Sequence, residues 1–239
     1  MKNASPFPRA KTEWFQIKNA TEESADVFIY DVVGDSWVGG DAATVVKAIN
    51  GIKAKKINLR INSPGGSVFD GVAIYNALAR HSAEVTTYVD GLAASIASII
   101  ALAGKKIVMA ENAMMMIHNP WTYTAGDSAS LRKEADVLDQ VRETLINTYA
   151  TRTGKERDVI GAALDAETWF TAQEAKDWGL NDEITLGVKA MACADSDTLS
   201  SLGITKAPTA VIQQDAPLSS IAPRSLHQRK QALLEKIST

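Results

Sequence analysis

The sequence predicts an α/β fold. Two observations carry the prediction: short apolar runs of strand length alternate with segments of helical periodicity, and Gly- or Pro-containing turns separate them. A third is placement. The glycine pair of Asn62-Ser63-Pro64-Gly65-Gly66, Ser95 and His118 all fall at junctions between such segments, and α/β folds gather functional groups at the ends of their strands.

Taken in order, residues 27–32 and 57–61 read as strands, the first following polar Thr21-Glu22-Glu23-Ser24 and the second halted by the Asn-Ser-Pro-Gly-Gly turn. Between them, 41–49 reads as a helix with Ala43, Val46 and Ile49 on one face. Over 68–80, Val68, Val72, Ile74, Tyr75 and Leu78 recur at helical spacing. Residues 85–89 form the next strand. The apolar stretch 92–104 is too short to span a bilayer and reads as a buried helix. Residues 106–109 and 113–117 are two more strands. Asp127 is placed to cap a long helix in which Leu131, Ala135, Leu138, Val141, Leu145 and Tyr149 recur before Gly154. After Ile184 the pattern dissolves. Residues 187–224, rich in Ala, Ser, Thr and Asp and interrupted by Pro208, Pro217 and Pro223, read as a flexible tail. Leu226, Leu233, Leu234 and Ile237 then suggest a short amphipathic helix.

Charge and composition narrow the function. The net charge is −3 over 239 residues, with both signs mixed along the chain. There is no basic patch for nucleic acid and no polybasic or amphipathic membrane anchor, so neither partner is expected. Residues 1–8 lack a signal-peptide core. Cys193 is the single cysteine, which excludes an intrachain disulfide and fits a reducing compartment, so the cytoplasm is expected. One cysteine and three scattered histidines do not make a familiar zinc site. The glycine pair lacks both the P-loop lysine and the dinucleotide spacing, and no cofactor is expected.

What remains is a set of groups suited to attack on a carbonyl. Ser95 opens a helix, with alanines before it that leave its hydroxyl accessible and a helix N-terminus that favours negative charge. A tight glycine turn can aim a backbone N–H where a side chain would block approach, so Gly66 and Ile96 are the natural oxyanion donors. His118, behind the strand and ahead of Asn119-Pro120, supplies the general base that a serine needs at neutral pH. His81 lies at a helix end and His227 in the tail. Ser98 sits deeper in the apolar run and is expected to satisfy a backbone carbonyl. Val68 and Ile96, with part of the Met114-Met115-Met116 run and Met115 in particular, are candidates to line a hydrophobic substrate pocket.

Asn62-Ser63-Pro64-Gly65-Gly66, Gly91-Leu92-Ala93-Ala94-Ser95, Met116-Ile117-His118 and Phe170-Thr171-Ala172-Gln173-Glu174-Ala175 with Trp178-Gly179-Leu180 resemble the Clp peptidase family of ClpP-like serine proteases in content, order and spacing. The resemblance runs over about residues 25–184. The wording Glu167-Thr168-Trp169-Phe170-Thr171-Ala172 looks most like the ClpP-related head maturation proteases of tailed phages and prophages. It implies a ClpP/crotonase-like fold of repeated β-β-α units with a protruding handle helix. It also implies an N-terminal extension (1–24), a protease domain (25–186) and a flexible C-terminal tail (187–239) with its terminal helix. The family's position for a triad aspartate carries Glu167, with Asp165 as the alternative, behind Ser95 and His118.

By the same resemblance, residues 123–152 form an oligomer contact that joins rings of a homo-oligomer, and the substrates are capsid and scaffold proteins together with the enzyme's own tail. Three other functions compete. One is a housekeeping peptidase fed by an ATP-driven unfoldase, although Pro6, Pro8 and Trp14 do not resemble the apolar N-terminal loop of those members. The second is an acyl-CoA enzyme of the crotonase type, which would not need Ser95 and His118 together. The third is a non-enzymatic assembly protein on the same fold.

Overall fold

The chain runs β1 (Phe15–Lys18), β2 (Ser24–Tyr30), α1 (Ala42–Asn50), β3 (Lys56–Ser63), α2 (Val68–Ala79), β4 (Glu84–Ala94), α3 (Ile96–Ala101), β5 (Lys106–Ala110) and β6 (Met114–Ile117). It continues through α4 (Ser128–Thr153), α5 (Arg157–Asp165), β7 (Thr168–Thr171), α6 (Ala172–Trp178), β8 (Glu183–Thr185) and α7 (Ser196–Ser201). The computed structural model describes residues 14–34, 42–186 and 196–208. The α/β class expected from the sequence is the class observed. β-β-α units recur as β1-β2-α1 and β5-β6-α4, with single strands alternating with helices between them.

Period-two burial builds the sheet. In β2 and β3 every second residue (Ala25, Val27, Ile29; Ile57, Leu59, Ile61) is buried, and β4 continues the pattern with Val85, Thr87 and Val89. Strands β2, β3, β4, β5 and β8 pair in parallel, and β1 adds antiparallel to β2. Val45 and Ile49 of α1, Ile74 and Leu78 of α2 and Ile99 and Ile100 of α3 complete one core with the buried strand face. Each such side chain contributes about 1.5–3 kcal/mol. On the opposite face, Arg60 pairs with Asp90 through Nη2 at 2.6 Å and Nε at 2.9 Å, and the Tyr30 hydroxyl donates to the same carboxylate at 2.6 Å.

β4 positions the site. Its first half pairs with β5 from Thr86 to Val89, and its second half, Leu92 to Ala94, pairs with β6 instead. The buried helix expected over 92–104 is therefore shorter, Ile96–Ala101. Periodicity cannot tell a short apolar helix from a buried strand, and here the backbone of Leu92, Ala93 and Ala94 is claimed by β6, with Ala93 also paired to Ser63 of β3.

α4 begins with Asp127 accepting from Ser130 N at 2.8 Å and ends at Gly154, whose φ of 68° suits glycine. Twenty-six residues make it about 39 Å long. Only Leu145, Ile146 and Tyr149, near its C-terminal end, are buried, and the earlier turns leave Leu131 42% exposed. The apolar periodicity here marks a protruding helix rather than one packed along its length.

Two segments differ from expectation. The extension expected over 1–24 contributes β1 and a buried Trp14 to the core, because its backbone pairs with β2. The tail expected from residue 187 contains α7, with Leu199 and Ile204 buried. The terminal helix expected over 226–237 lies outside the described residues, as does Cys193. Among the described residues no helix is long and apolar enough to cross a membrane.

Candidate active site

Ser95 is the single residue between β4 and α3, and its backbone is strained. With φ 54° and ψ −130° it occupies a region that non-glycine residues rarely adopt, at a cost on the order of 1–3 kcal/mol. Flanking bonds hold it there: Ser95 N donates to Met116 O at 2.9 Å, and Ser95 O accepts from Ser98 N at 3.0 Å and from the Ser98 hydroxyl at 2.5 Å. Ser98 thus satisfies a backbone carbonyl. Since its one hydroxyl proton goes to Ser95 O, the 2.7 Å contact with Tyr149 has the tyrosine hydroxyl as donor. Burial pushes the Tyr149 phenol well up, so it stays neutral and able to donate.

The glycine turn packs directly on this serine. Gly65 has φ 100°, and a Cβ there would stand 2.7 Å from Ser95 Cβ and 2.8 Å from Ala94 O. Gly66, at φ 148°, bridges Val33: Val33 N donates to Gly65 O at 2.7 Å and Ser67 N donates to Val33 O at 3.0 Å. Those two bonds engage the residues flanking Gly66 on the β2 side. In a parallel bridge the Gly66 N–H then points to the other side, where β4 gives way to Ser95. Ile96 is the first residue of α3, so its N–H has no helical acceptor one turn behind.

β6 brings the histidine. Its register, Ala94 opposite Met116, sets the residue after Ile117 beside Ser95, and His118 Nε2 lies 2.8 Å from Ser95 Oγ. Burial holds the His118 pKa below the ordinary 6.5, with the nearby charge of Glu167 opposing the shift. The imidazole is therefore neutral at pH 7 and free to accept the serine proton. The acid limb of kcat/KM in a pH profile is expected below pH 6.5, and a midpoint above it would mean that the Glu167 charge outweighs burial. Stability carries the same sign: the depressed pKa contributes stability that is present above 6.5 and lost as pH falls through the folded value.

The carboxylates are less simply placed. Asp165, 62% exposed, accepts from Asn119 Nδ2 at 2.8 Å and pairs with Arg142 at 3.2 Å, away from the imidazole. Glu167 sits at φ 53°, near enough for its charge to reach His118, but its hydrogen bonds go to Thr205 and Lys206. Burial pushes its carboxyl up, and those amide donors outweigh it, so the group lies below the usual range and is ionised. Among the described residues, no hydrogen bond joins Glu167 to His118. The part played by residues 205–206 escaped the sequence reading because they fall in a stretch with tail composition.

Val68 and Ile96 line a small depression with Ser95 and His118, and Ile99, Pro120, Leu145 and Tyr149 complete it. Met115 does not line it. It is fully buried in the core, opposite Ala93 and Phe170 in the sheet. Pro120 and Leu145 carry no sequence signal for this role, since the segment after β6 and the end of α4 meet only in the fold. Among the described residues, no group of three or more His, Cys, Asp or Glu is placed to hold a metal ion.

The family model described as Clp protease matches residues 9–187. The chain is 35% identical over 192 residues to ATP-dependent Clp protease proteolytic subunit 1 of Protochlamydia amoebophila, covering 77% of this chain and 90% of that protein. It is 35% identical to the ATP-dependent Clp protease proteolytic subunit of Bacteroides fragilis, over 55% of this chain and 65% of that protein. With the subunit of that name from Pleurastrum terricola the identity is 29%, covering 72% of this chain and 89% of the relative.

Proposed function

This chain belongs to the Clp protease family and is a serine-type peptidase, and from that premise we propose that it cleaves peptide bonds through an acyl-enzyme formed on Ser95. The observation that carries the reading is the 2.8 Å contact between Ser95 Oγ and a neutral His118 beneath the glycine turn. Ser95 Oγ attacks the scissile carbonyl carbon and His118 Nε2 takes the hydroxyl proton. The oxygen that becomes negative is met by the N–H groups of Gly66 and Ile96, each worth about 10²–10³ in rate. The imidazolium then gives its proton to the leaving amine, and water, activated by the same imidazole, releases the acyl product. Glu167 is the carboxylate that serves His118. The Val68–Ile96 depression, only about 10 Å³ here, widens on binding to receive the side chain before the scissile bond.

The substrates we assign are capsid and scaffold proteins of a tailed phage, on the strength of the wording over Glu167–Ala172. The active unit is a homo-oligomer built through residues 123–152. Tyr123 at 92% exposed, with Leu131 and Val137 on the protruding turns of α4, leaves large apolar side chains open to solvent along this segment, which supports that contact. A second reading has its own support: the relatives are named proteolytic subunits of ATP-dependent proteases. Co-expression with capsid and scaffold proteins separates the two. Discrete trimmed products that disappear with Ser95→Ala support maturation, whereas intact capsid proteins, with breakdown to short peptides only when an ATP-driven unfoldase is added, establish the second reading.

A further inference from the structure

A carboxylate that serves an imidazole must present a lone pair to its Nδ1, and Glu167 presents its lone pairs elsewhere. Oε1 accepts from Lys206 N at 2.7 Å, Oε2 accepts from the Thr205 hydroxyl at 2.8 Å, and Thr205 N lies 3.1 Å from both oxygens. The Trp169 indole N–H adds a longer contact to Oε1 at 3.4 Å. Together these fill roughly the four acceptor positions that a carboxylate offers.

The segment supplying these donors is firmly seated. Leu199 and Ile204 are buried against Leu92, Ala94 and Met116, the last two belonging to the strand ends that set Ser95 and His118. Trp121 Nε1 donates to Leu202 O at 2.6 Å, and Lys206 Nζ donates to Ala166 O at 2.8 Å. Gly203, at φ 68°, lies so close to the Trp121 ring that a Cβ would stand 2.6 Å from Nε1.

We propose that residues 196–208 are a clasp that withholds Glu167 from His118 and so keeps Ser95 in a low-activity state until the clasp undocks. This deepens the peptidase reading and rests on Glu167 as the partner of His118. A clasp that merely positioned Glu167 would leave one oxygen facing the imidazole, and here both are engaged by the clasp. Once it leaves, the partly buried carboxylate keeps only the long Trp169 contact, and the His118 ring, which its charge already reaches, offers an Nδ1–H in place of the lost donors. That bond stabilises the imidazolium formed when Ser95 gives up its proton.

Two full-length variants test this. Gly203→Val drives a side chain into Trp121, and Thr205→Pro removes the N–H and the hydroxyl at once while leaving the apolar contacts of α7 in place. The readout is the rate of labelling by a fluorophosphonate: Ser95 Oγ bonds to phosphorus, fluoride leaves, and the hydroxyl proton goes to His118 Nε2. Both variants are expected to label about tenfold faster or more. Adding Glu167→Gln should cancel the gain. The His118 titration followed by NMR should move upward in the undocked variants and not in their Glu167→Gln counterparts. If both variants label no faster, while Glu167→Gln slows the wild type, the clasp is overturned and the role of Glu167 stands. If Glu167→Gln changes nothing in any background while Ser95→Ala abolishes labelling, the Glu167 reading itself fails and takes the clasp with it.

Discussion

Ser95→Gly and Ser95→Ala are both expected to be inactive, and the glycine variant is expected to be the more stable of the two by about 1 kcal/mol. Loss of the nucleophile should lower kcat by something on the order of 10⁴–10⁶ in either case. Both variants lose the 2.8 Å contact with His118, so that term cancels between them. Backbone strain does not cancel. Alanine must still adopt φ 54° and ψ −130°, whereas glycine enters that region freely. Relief of roughly 1–3 kcal/mol is partly offset by the 0.5–1 kcal/mol that glycine's flexibility costs in the unfolded chain. A difference of this size separates the melting temperatures by about 2–4 °C in a chain of this length. Equal midpoints in a denaturant titration would mean that the strain at Ser95 is no larger than the roughly 0.5–1 kcal/mol that glycine's flexibility costs, and a less stable glycine variant would mean that the turn is unstrained.

The link between strain and chemistry also explains how far the sequence could be read. Gly66 and His118 were legible because each sits where an apolar run stops at a turn residue, and such stops are local, whereas Ser95, inside the apolar stretch 92–104, was named from its spacing to them. β3, α2, β5 and β6 were legible for the same reason. Where β4 ends was not, since Leu92-Ala93-Ala94 is equally apolar as strand or helix, and only the partner strand decides. β7, α6 and β8 are three to seven residues long, too short for a periodic signal, and they are held by pairing with β6 and β5 and by the capping box of Thr171 and Glu174. Met115 shows the converse error. Its flexible side chain suggested a pocket, but in a strand flanked by Ala93 and Phe170 it fills the core. Glu167 could be named from motif order, yet the donors on its carboxylate come from almost forty residues downstream, and no local pattern announces a contact of that reach.

Gly66→Ala is expected to lower kcat by about 10²–10³ with a much smaller change in KM, which is the signature of a lost oxyanion donor. The added methyl would lie 2.1 Å from Val33 O and 2.8 Å from Val33 N, both backbone atoms. Val33 cannot yield by rotating a side chain, because its own N–H and C=O are tied to Gly65 and Ser67. The bridge has to open, and the Gly66 N–H turns away from the position of the developing negative charge. Gly71→Ala is the matched control: its methyl would meet Ile96 Cγ1 at 2.2 Å, an equally tight approach but against a side chain that can change rotamer. Measured on one peptide substrate and corrected for the folded fraction, Gly71→Ala should keep most of its kcat while Gly66→Ala loses it. Equal losses would mean that general tightness around Ser95 governs the rate rather than a donor at Gly66. Full retention of kcat in Gly66→Ala would leave the Ile96 N–H as the principal support for the oxyanion.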